Sequence, residues 1–285
     1  MKHLSFLICL TLLASLLSGC TGAPEAQIAA TTLPVYEFTL RLCEGTGLTV
    51  TRLVNEEVSC LHDYSLKTAQ MRAIEGAELV IINGGGLEDF MSDIVPADKT
   101  VDASDGIDLH CGHDHDGHNH EHDPHIWLSP RLAKEMVNNI AASLSAKYPE
   151  HSNTFEVNKQ ILHKELDALY RFGTEQLAGL SCRRLITFHD GFHYFAEAFD
   201  LEILRAVEEE SGSEASAQEL IELINLVQNH ELPAIFTERS GSQSAAKIIA
   251  EETHTKIYTL DMAMAGNSYF TAMHNNIKVI KEALG

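Results

Sequence analysis

The feature that most constrains the fold is an alternation of short buried strands with amphipathic helices. It occurs twice, once on each side of a long helical region. Alternation of this kind predicts parallel sheets with helices packed on both faces. The predicted strands are Thr49–Val54, Glu78–Asn83, Arg184–Phe188, Glu202–Val207, Ala234–Thr237 and Lys256–Leu260, and the helical patterns between them include Tyr64–Glu75, Glu214–Asn229 and Ser244–Thr253.

The helical region between the two sets runs from Pro130 to Leu180, and Pro149 interrupts it. Beyond Pro149, apolar residues recur near the 3.6-residue period of one helix face. We therefore predict an α/β protein of two lobes, each a parallel sheet flanked by helices, joined by a long linking helix. A helix that packs on one lobe only is the alternative. The predicted boundaries are 31–148 for the N-terminal lobe, 149–180 for the linking helix and 181–285 for the C-terminal lobe; the apolar face consists of Phe155, Leu162, Leu166, Leu169 and Leu177.

The first twenty residues have the pattern of a secretory signal. Lys2 precedes an apolar run from Leu4 to Leu17, which is too short to span a bilayer as a helix. The run ends in Leu-Ser-Gly-Cys, which resembles the bacterial lipobox, so we expect acylation at Cys20. The predictions are a signal peptide over 1–19, a tether over 20–30 and an extracytoplasmic or periplasmic location on a lipid anchor. An ordinary signal peptide with a chance cysteine is the alternative.

The net negative charge and a histidine-rich loop both indicate a cationic ligand. Twenty Lys and Arg against 41 Asp and Glu give a net charge of −21, which argues against nucleic acid and suits a protein that handles cations. A loop over 110–122 alternates imidazole with carboxylate or glycine and has no periodic apolar residue, so it cannot form a core. Clustered imidazoles bind borderline metals such as zinc, and a merely hydrophilic insert is the alternative. The loop histidines are His110, His113, His115, His118, His120 and His122.

Four further residues are candidates for a fixed metal site: His62, His125, His189 and Asp261. Three of them lie just beyond the carboxyl end of a predicted strand, where open α/β sheets place their ligands. Two would come from each lobe. Three imidazoles and one carboxylate suit four-coordinate zinc. Taken singly, each residue could instead be a helix cap or a surface residue.

Several segments, in order along the chain, resemble the solute-binding proteins of metal ABC importers, the zinc and manganese cluster typified by ZnuA-like proteins. The resemblance covers nearly the whole chain after the signal. Its blocks are Leu33–Phe38, His62–Tyr64, Ile74–Val80, Asn83–Glu88, Asp123–Pro130, His189–Phe195, Leu260–Asp261 and Ser268–Tyr269.

The resemblance implies a metal ion held between two lobes and delivered to a membrane permease, by a monomer that is not an enzyme. The family's ligands fall on His62, His125, His189 and Asp261. Histidine at 189 resembles the zinc-type members, so we expect Zn²⁺, with manganese or iron as the alternative. Two other classes stay open: a surface adhesin, and a zinc hydrolase, which would need an open coordination position.

Three lesser expectations concern the surroundings of the site. A ligating histidine usually donates its other N–H to a carboxylate, and Glu238 at the end of a predicted strand is the favoured acceptor, with Asp63 and Asp190 as others. In an oxidising compartment we favour a disulfide between Cys43 and Cys60. We expect the segment Asp261–Ser268 to move when the metal is released.

Overall fold

The computed structural model describes residues 26–57, 61, 64–110, 122–207, 215–239 and 243–285. It confirms the predicted fold class, because the described residues form two parallel four-stranded sheets flanked by helices. We call the elements before the long central helix the first lobe and those after it the second lobe. No helix in these ranges is both long and apolar enough to cross a membrane.

The first lobe contains a sheet of strand order β2-β1-β3-β4, in which all three pairings are parallel. Short 3₁₀ turns cover Asp89–Met91 and Ile126–Leu128. The elements are β1 Ile28–Ala30, α1 Leu33–Leu42, β2 Val50–Arg52, α2 Thr68–Gly76, β3 Leu79–Ile82, β4 Thr100–Asp102 and α3 Pro130–Lys147.

The second lobe repeats this plan with the order β6-β5-β7-β8, again with parallel pairings. The observed bounds of its strands lie within one residue of the predicted ones. Its elements are β5 Arg184–Thr187, α5 His193–Ala198, β6 Glu202–Ala206, α6 Ala217–Asn229, β7 Ala234–Glu238, α7 Ser244–Thr253, β8 Lys256–Leu260 and α8 Tyr269–Leu284.

Two strands of the first sheet differ from the sequence prediction. Residues 28–30, which we placed at the end of the tether, form the interior strand β1 and are completely buried. Two of its three residues are alanine, which has little strand propensity, so its place comes from the strands on either side and not from its own sequence. Strand β4, Thr100–Asp102, was missed because it is only three residues long.

The long central helix α4, Ser152–Leu177, contains 26 residues and so extends about 39 Å. The five residues of its predicted apolar face are all buried. Arg41 of α1 donates to both carboxylate oxygens of Glu165, at 2.6 and 2.9 Å, and Lys281 of α8 donates to Gln176 at 2.8 Å. The helix therefore contacts both lobes, which excludes the alternative of packing on one lobe only.

A buried glutamate shapes the turn that follows β3. Glu88 accepts hydrogen bonds from the Thr31 hydroxyl at 2.6 Å and from the backbone N–H groups of Asn83 and Gly84 at 2.9 and 3.0 Å. The Asn83 side chain in turn donates to the carbonyl of Pro124 at 2.9 Å. Glu88 thus links the end of β1 to the turn that holds the residue before His125.

Shortening a buried side chain of α4 should destabilise the protein. We expect Leu166→Ala to lower the free energy of unfolding by roughly 2–5 kcal/mol, because it removes buried methyl groups and leaves a cavity. Val157→Ala is the matched control on the same helix, since Val157 is 57% exposed and should change stability by less than about 0.5 kcal/mol. Urea denaturation measures both, and equal losses would contradict the packing described.

Glu88 should make stability depend on pH. Burial, only partly offset by its hydrogen bonds, raises the pKa of Glu88 from 4.5 to about 7. Between these values the folded chain binds the proton and the unfolded chain does not, so this contribution is present below pH 4.5 and is lost as the pH rises through about 7. Relative to Glu88→Gln, we expect the wild-type free energy of unfolding to fall by up to about 3 kcal/mol over this range. A difference that stays constant or grows would contradict the prediction.

Candidate metal centre

Two of the predicted ligands meet in the interior between the lobes. His125 precedes the Ile126–Leu128 turn of the first lobe, and His189 follows β5 of the second. Their Nε2 atoms are 3.4 Å apart and their rings are nearly perpendicular, at 89°. Both side chains are buried. The two Nε2 atoms therefore face one small volume, to which each lobe contributes one imidazole.

A carboxylate fixes the orientation of the His125 ring. Asp123 Oδ1 lies 2.7 Å from His125 Nδ1 and also accepts the His125 backbone N–H at 2.9 Å. Because an ionised carboxylate can only accept, the ring proton belongs on Nδ1, and this leaves the lone pair of Nε2 directed at His189. We did not single out Asp123 from the sequence. Its position two residues before His125, a candidate ligand, could have indicated this role.

A second carboxylate lies behind His189. Glu238, the last residue of β7, is buried, and its Oε2 is 3.6 Å from His189 Nδ1. That distance gives an electrostatic contact longer than a hydrogen bond. Asp190, another candidate for this role, is 2.6 Å from His193 Nε2, and this hydrogen bond is the main reason that the pKa of His193 is raised. Of the sequence candidates that the structure describes, Glu238 is the one placed against the ring of a predicted ligand, His189.

Asp261 is fixed at the end of β8 by hydrogen bonds and an ion pair. Its Oδ1 accepts the Ala263 N–H at 2.8 Å, and its Oδ2 lies 3.1 Å from Arg239 Nη2. Asn276 donates to the Asp261 carbonyl at 2.7 Å and accepts its backbone N–H at 2.8 Å. Within the described ranges no three His, Cys, Asp or Glu side chains converge closely enough to hold a metal ion. The structure therefore brings His125 and His189 together but does not bring Asp261 to them, and His62 lies outside the described residues.

Tyr194 of α5 fastens the two ends of the His-rich loop to the second lobe. Its hydroxyl accepts the His110 backbone N–H at 2.8 Å and donates to the Asp123 carbonyl at 3.1 Å. The His110 ring stacks on the Tyr194 ring at 4.4 Å, and its Nε2 lies 3.1 Å from Glu197. Burial raises the pKa of Tyr194 to about 12, so its hydroxyl stays protonated and able to donate. His113, His115, His118 and His120 lie outside the described residues, and His122 is at the edge of the described part.

Tightly packed side chains surround the histidine pair. The Trp127 indole donates to the Met262 carbonyl at 2.7 Å, and Tyr269 donates to the Trp127 carbonyl at 2.7 Å. A Cβ at Gly191 would lie 2.6 Å from the Met262 methyl and 2.7 Å from His189 Cδ2. The two hydrogen bonds join the lobes next to His125, and the space between Met262 and the two imidazoles has no room for a side chain at position 191.

The structure gives no support for the predicted disulfide. Cys43 follows α1 as a free thiol packed in the apolar core, and burial raises its pKa to about 12. Such a thiol is unreactive near neutral pH. Its proposed partner Cys60 and the proposed acylation site Cys20 both lie outside the described residues.

Comparisons with known proteins agree with this architecture. The chain is 29% identical over 308 residues to the zinc-binding lipoprotein AdcA of Streptococcus pneumoniae serotype 4, an alignment that covers 99% of this chain and 61% of AdcA. The chain thus spans less than two thirds of that relative. A crystal structure of ZnuA superposes with a TM-score of 0.80 at 28% identity, covering 91% of this chain and all of ZnuA.

A second solved structure is the Zn(II)-bound ZnuA-like domain of Streptococcus pneumoniae AdcA. It is 27% identical, with a TM-score of 0.77 and coverage of 91% of this chain and 99% of that domain. The family model described as zinc-uptake complex component A, periplasmic, matches residues 28–283. This chain therefore belongs to the ZnuA family.

Proposed function

We propose that this chain binds Zn²⁺ outside the cytoplasmic membrane and delivers it to the membrane permease of an ABC importer. The observation that carries the proposal is the 3.4 Å separation between His125 Nε2 and His189 Nε2. At the usual Zn–N distance of 2.0–2.1 Å, two nitrogens on one tetrahedral zinc ion are roughly 3.3–3.4 Å apart. The spacing therefore suits two ligands of a single zinc ion.

The polar contacts behind the pair support the same assignment. Asp123 directs the His125 lone pair inward, and Glu238 provides negative charge behind His189. Carboxylates in these positions fix the ring orientation and increase the basicity of a ligating imidazole. The membership in a zinc-uptake family and the zinc-bound AdcA domain agree with this choice of metal.

The full ligand set that we propose is His62, His125, His189 and Asp261. His62 enters from the sequence resemblance, and Asp261 would have to leave its ion pair with Arg239. Three imidazoles favour zinc over manganese, which prefers more oxygen ligands, so manganese is the weaker candidate. The hydrolase hypothesis is not favoured, because the family and the compared relatives are named for zinc uptake or binding and not for a reaction.

The proposal also includes the location of this chain and the membrane protein that receives the metal from it. Cys20 would carry the lipid anchor, and the importer permease would receive the metal from a monomeric binding protein. The His-rich loop would act as an auxiliary binding segment. Because its described ends are fastened by Tyr194 close to Asp123, metal caught on the loop would be near the fixed site.

A competitive zinc titration with a chromophoric chelator tests the fixed site. We expect the protein beginning at residue 20 to bind one tight equivalent, and His189→Ala to lose it, because removing one buried imidazole breaks the ligand set. His193→Ala is the matched control, four residues away and paired with Asp190, and should retain tight binding. A wild-type protein without a tight equivalent, or a His189→Ala protein that keeps it, would contradict the proposal.

A loop variant separates the auxiliary segment from the fixed site. Replacing residues 112–121 with a short Gly-Ser linker leaves His110, Asp123 and their contacts with Tyr194 in place. We expect the tight equivalent to survive and only weaker equivalents to disappear, as measured by isothermal titration with Zn²⁺. Loss of the tight equivalent along with the loop would show that the fixed-site assignment is wrong.

A further inference from the structure

Arg239 lies where the two lobes face each other beside Asp261. It directly follows β7, and its Nη2 is 3.1 Å from Asp261 Oδ2 in the second lobe. Its Nη1 is 3.6 Å from Glu57 Oε1 in the first lobe. One guanidinium therefore has two carboxylate partners, one in each lobe. Of these two, Asp261 is a proposed zinc ligand.

The cavity around this contact is small and lined by charged groups. Glu57, Glu238, Arg239 and Asp261 line it, together with Met262 and Met264. The Arg239 and Glu57 side chains are each more than half exposed, whereas the Asp261 side chain is only 25% exposed. Arg239 thus has room to change its position, while the carboxylate that it contacts does not reach freely into solvent.

Asp261 cannot bind the Arg239 guanidinium and a divalent metal ion equally strongly at the same time. An arginine stays charged at any physiological pH, so its attraction for Asp261 does not switch off. A divalent ion that used Asp261 as a ligand would be repelled by the guanidinium at this distance and would have to displace it. Glu57 Oε1 already lies 3.6 Å from Arg239 Nη1, so an Arg239 displaced from Asp261 would keep this second ion pair.

We propose that Arg239 is a competing cation that sets how tightly the metal is held: it gives up Asp261 to the metal and keeps its pairing with Glu57. The proposal rests on the proposed function, since it concerns the ion that Asp261 would bind. When the metal takes Asp261, Arg239 pairs with Glu57 of the first lobe alone. When the metal leaves, Arg239 pairs with Asp261 again and opposes rebinding. The residue therefore lowers affinity and speeds release.

Zinc affinity and release rate of Arg239→Gln test the proposal. We expect the variant to bind zinc roughly two- to fivefold more tightly, the range that an exposed ion pair supports, and to release it to a chelator correspondingly more slowly in stopped-flow measurements. Arg239→Lys keeps the charge and should stay close to wild type. Arg205→Gln, which removes one charge from an exposed position on β6 of the same lobe, corrects for the general effect of net charge.

The Asp261→Ala background shows whether the effect acts through the contact observed. We expect Arg239→Gln to change zinc affinity no more than Arg205→Gln does once Asp261 is absent, because there is then no shared carboxylate. Unchanged or weaker binding in Arg239→Gln, or an equal gain in both backgrounds, would overturn the proposal. A wild-type protein that binds no tight zinc would instead overturn the proposed function, so the two failures are distinguishable.

Discussion

The candidate metal site depends on the meeting of two buried imidazoles that come from different lobes. His125 and His189 place their Nε2 atoms 3.4 Å apart, with one carboxylate behind each ring. Two lone pairs at that distance repel each other unless a proton or a metal ion lies between them. Both lobes are therefore needed for the candidate site, because each supplies only one of the two imidazoles.

The surrounding fold keeps this approach fixed by several independent contacts. Helix α4 is paired to α1 through Arg41 and to α8 through Lys281, so one rigid element relates the lobes. Glu88 and Asn83 hold the backbone before His125, and Tyr194 joins that segment to α5 of the second lobe. Close packing of lobes behind a site is one way for a protein to hold ligands within a few tenths of an ångström of a required geometry. The ion pair between Arg239 and Asp261 is a contrasting contact, because the Arg239 side chain is more than half exposed.

Much of the fold was predictable from the sequence because strand–helix alternation leaves few topologies. The strands of the second lobe were predicted closely because each is a run of four or five residues rich in apolar side chains, and the apolar face of α4 because it is strongly periodic. Strand β1 was not, because its buried position is imposed by β2 and β3 and its sequence resembles a tether. Of the candidate site residues, His125, His189 and Glu238 were predicted from their positions after strands or in a family motif. Asp123 and Arg239 were missed, because each acts through a neighbour brought close only by the fold.

X-ray absorption at the zinc edge tests the central claim most directly. The protein beginning at residue 20, with the loop replaced over 112–121 and one equivalent of zinc bound, should show a first shell of nitrogen and oxygen near 2.0–2.1 Å with strong imidazole scattering. That imidazole scattering should decrease in His125→Ala. A sulfur shell near 2.3 Å, or an oxygen shell without imidazole scattering, would contradict a zinc ion held between His125 and His189.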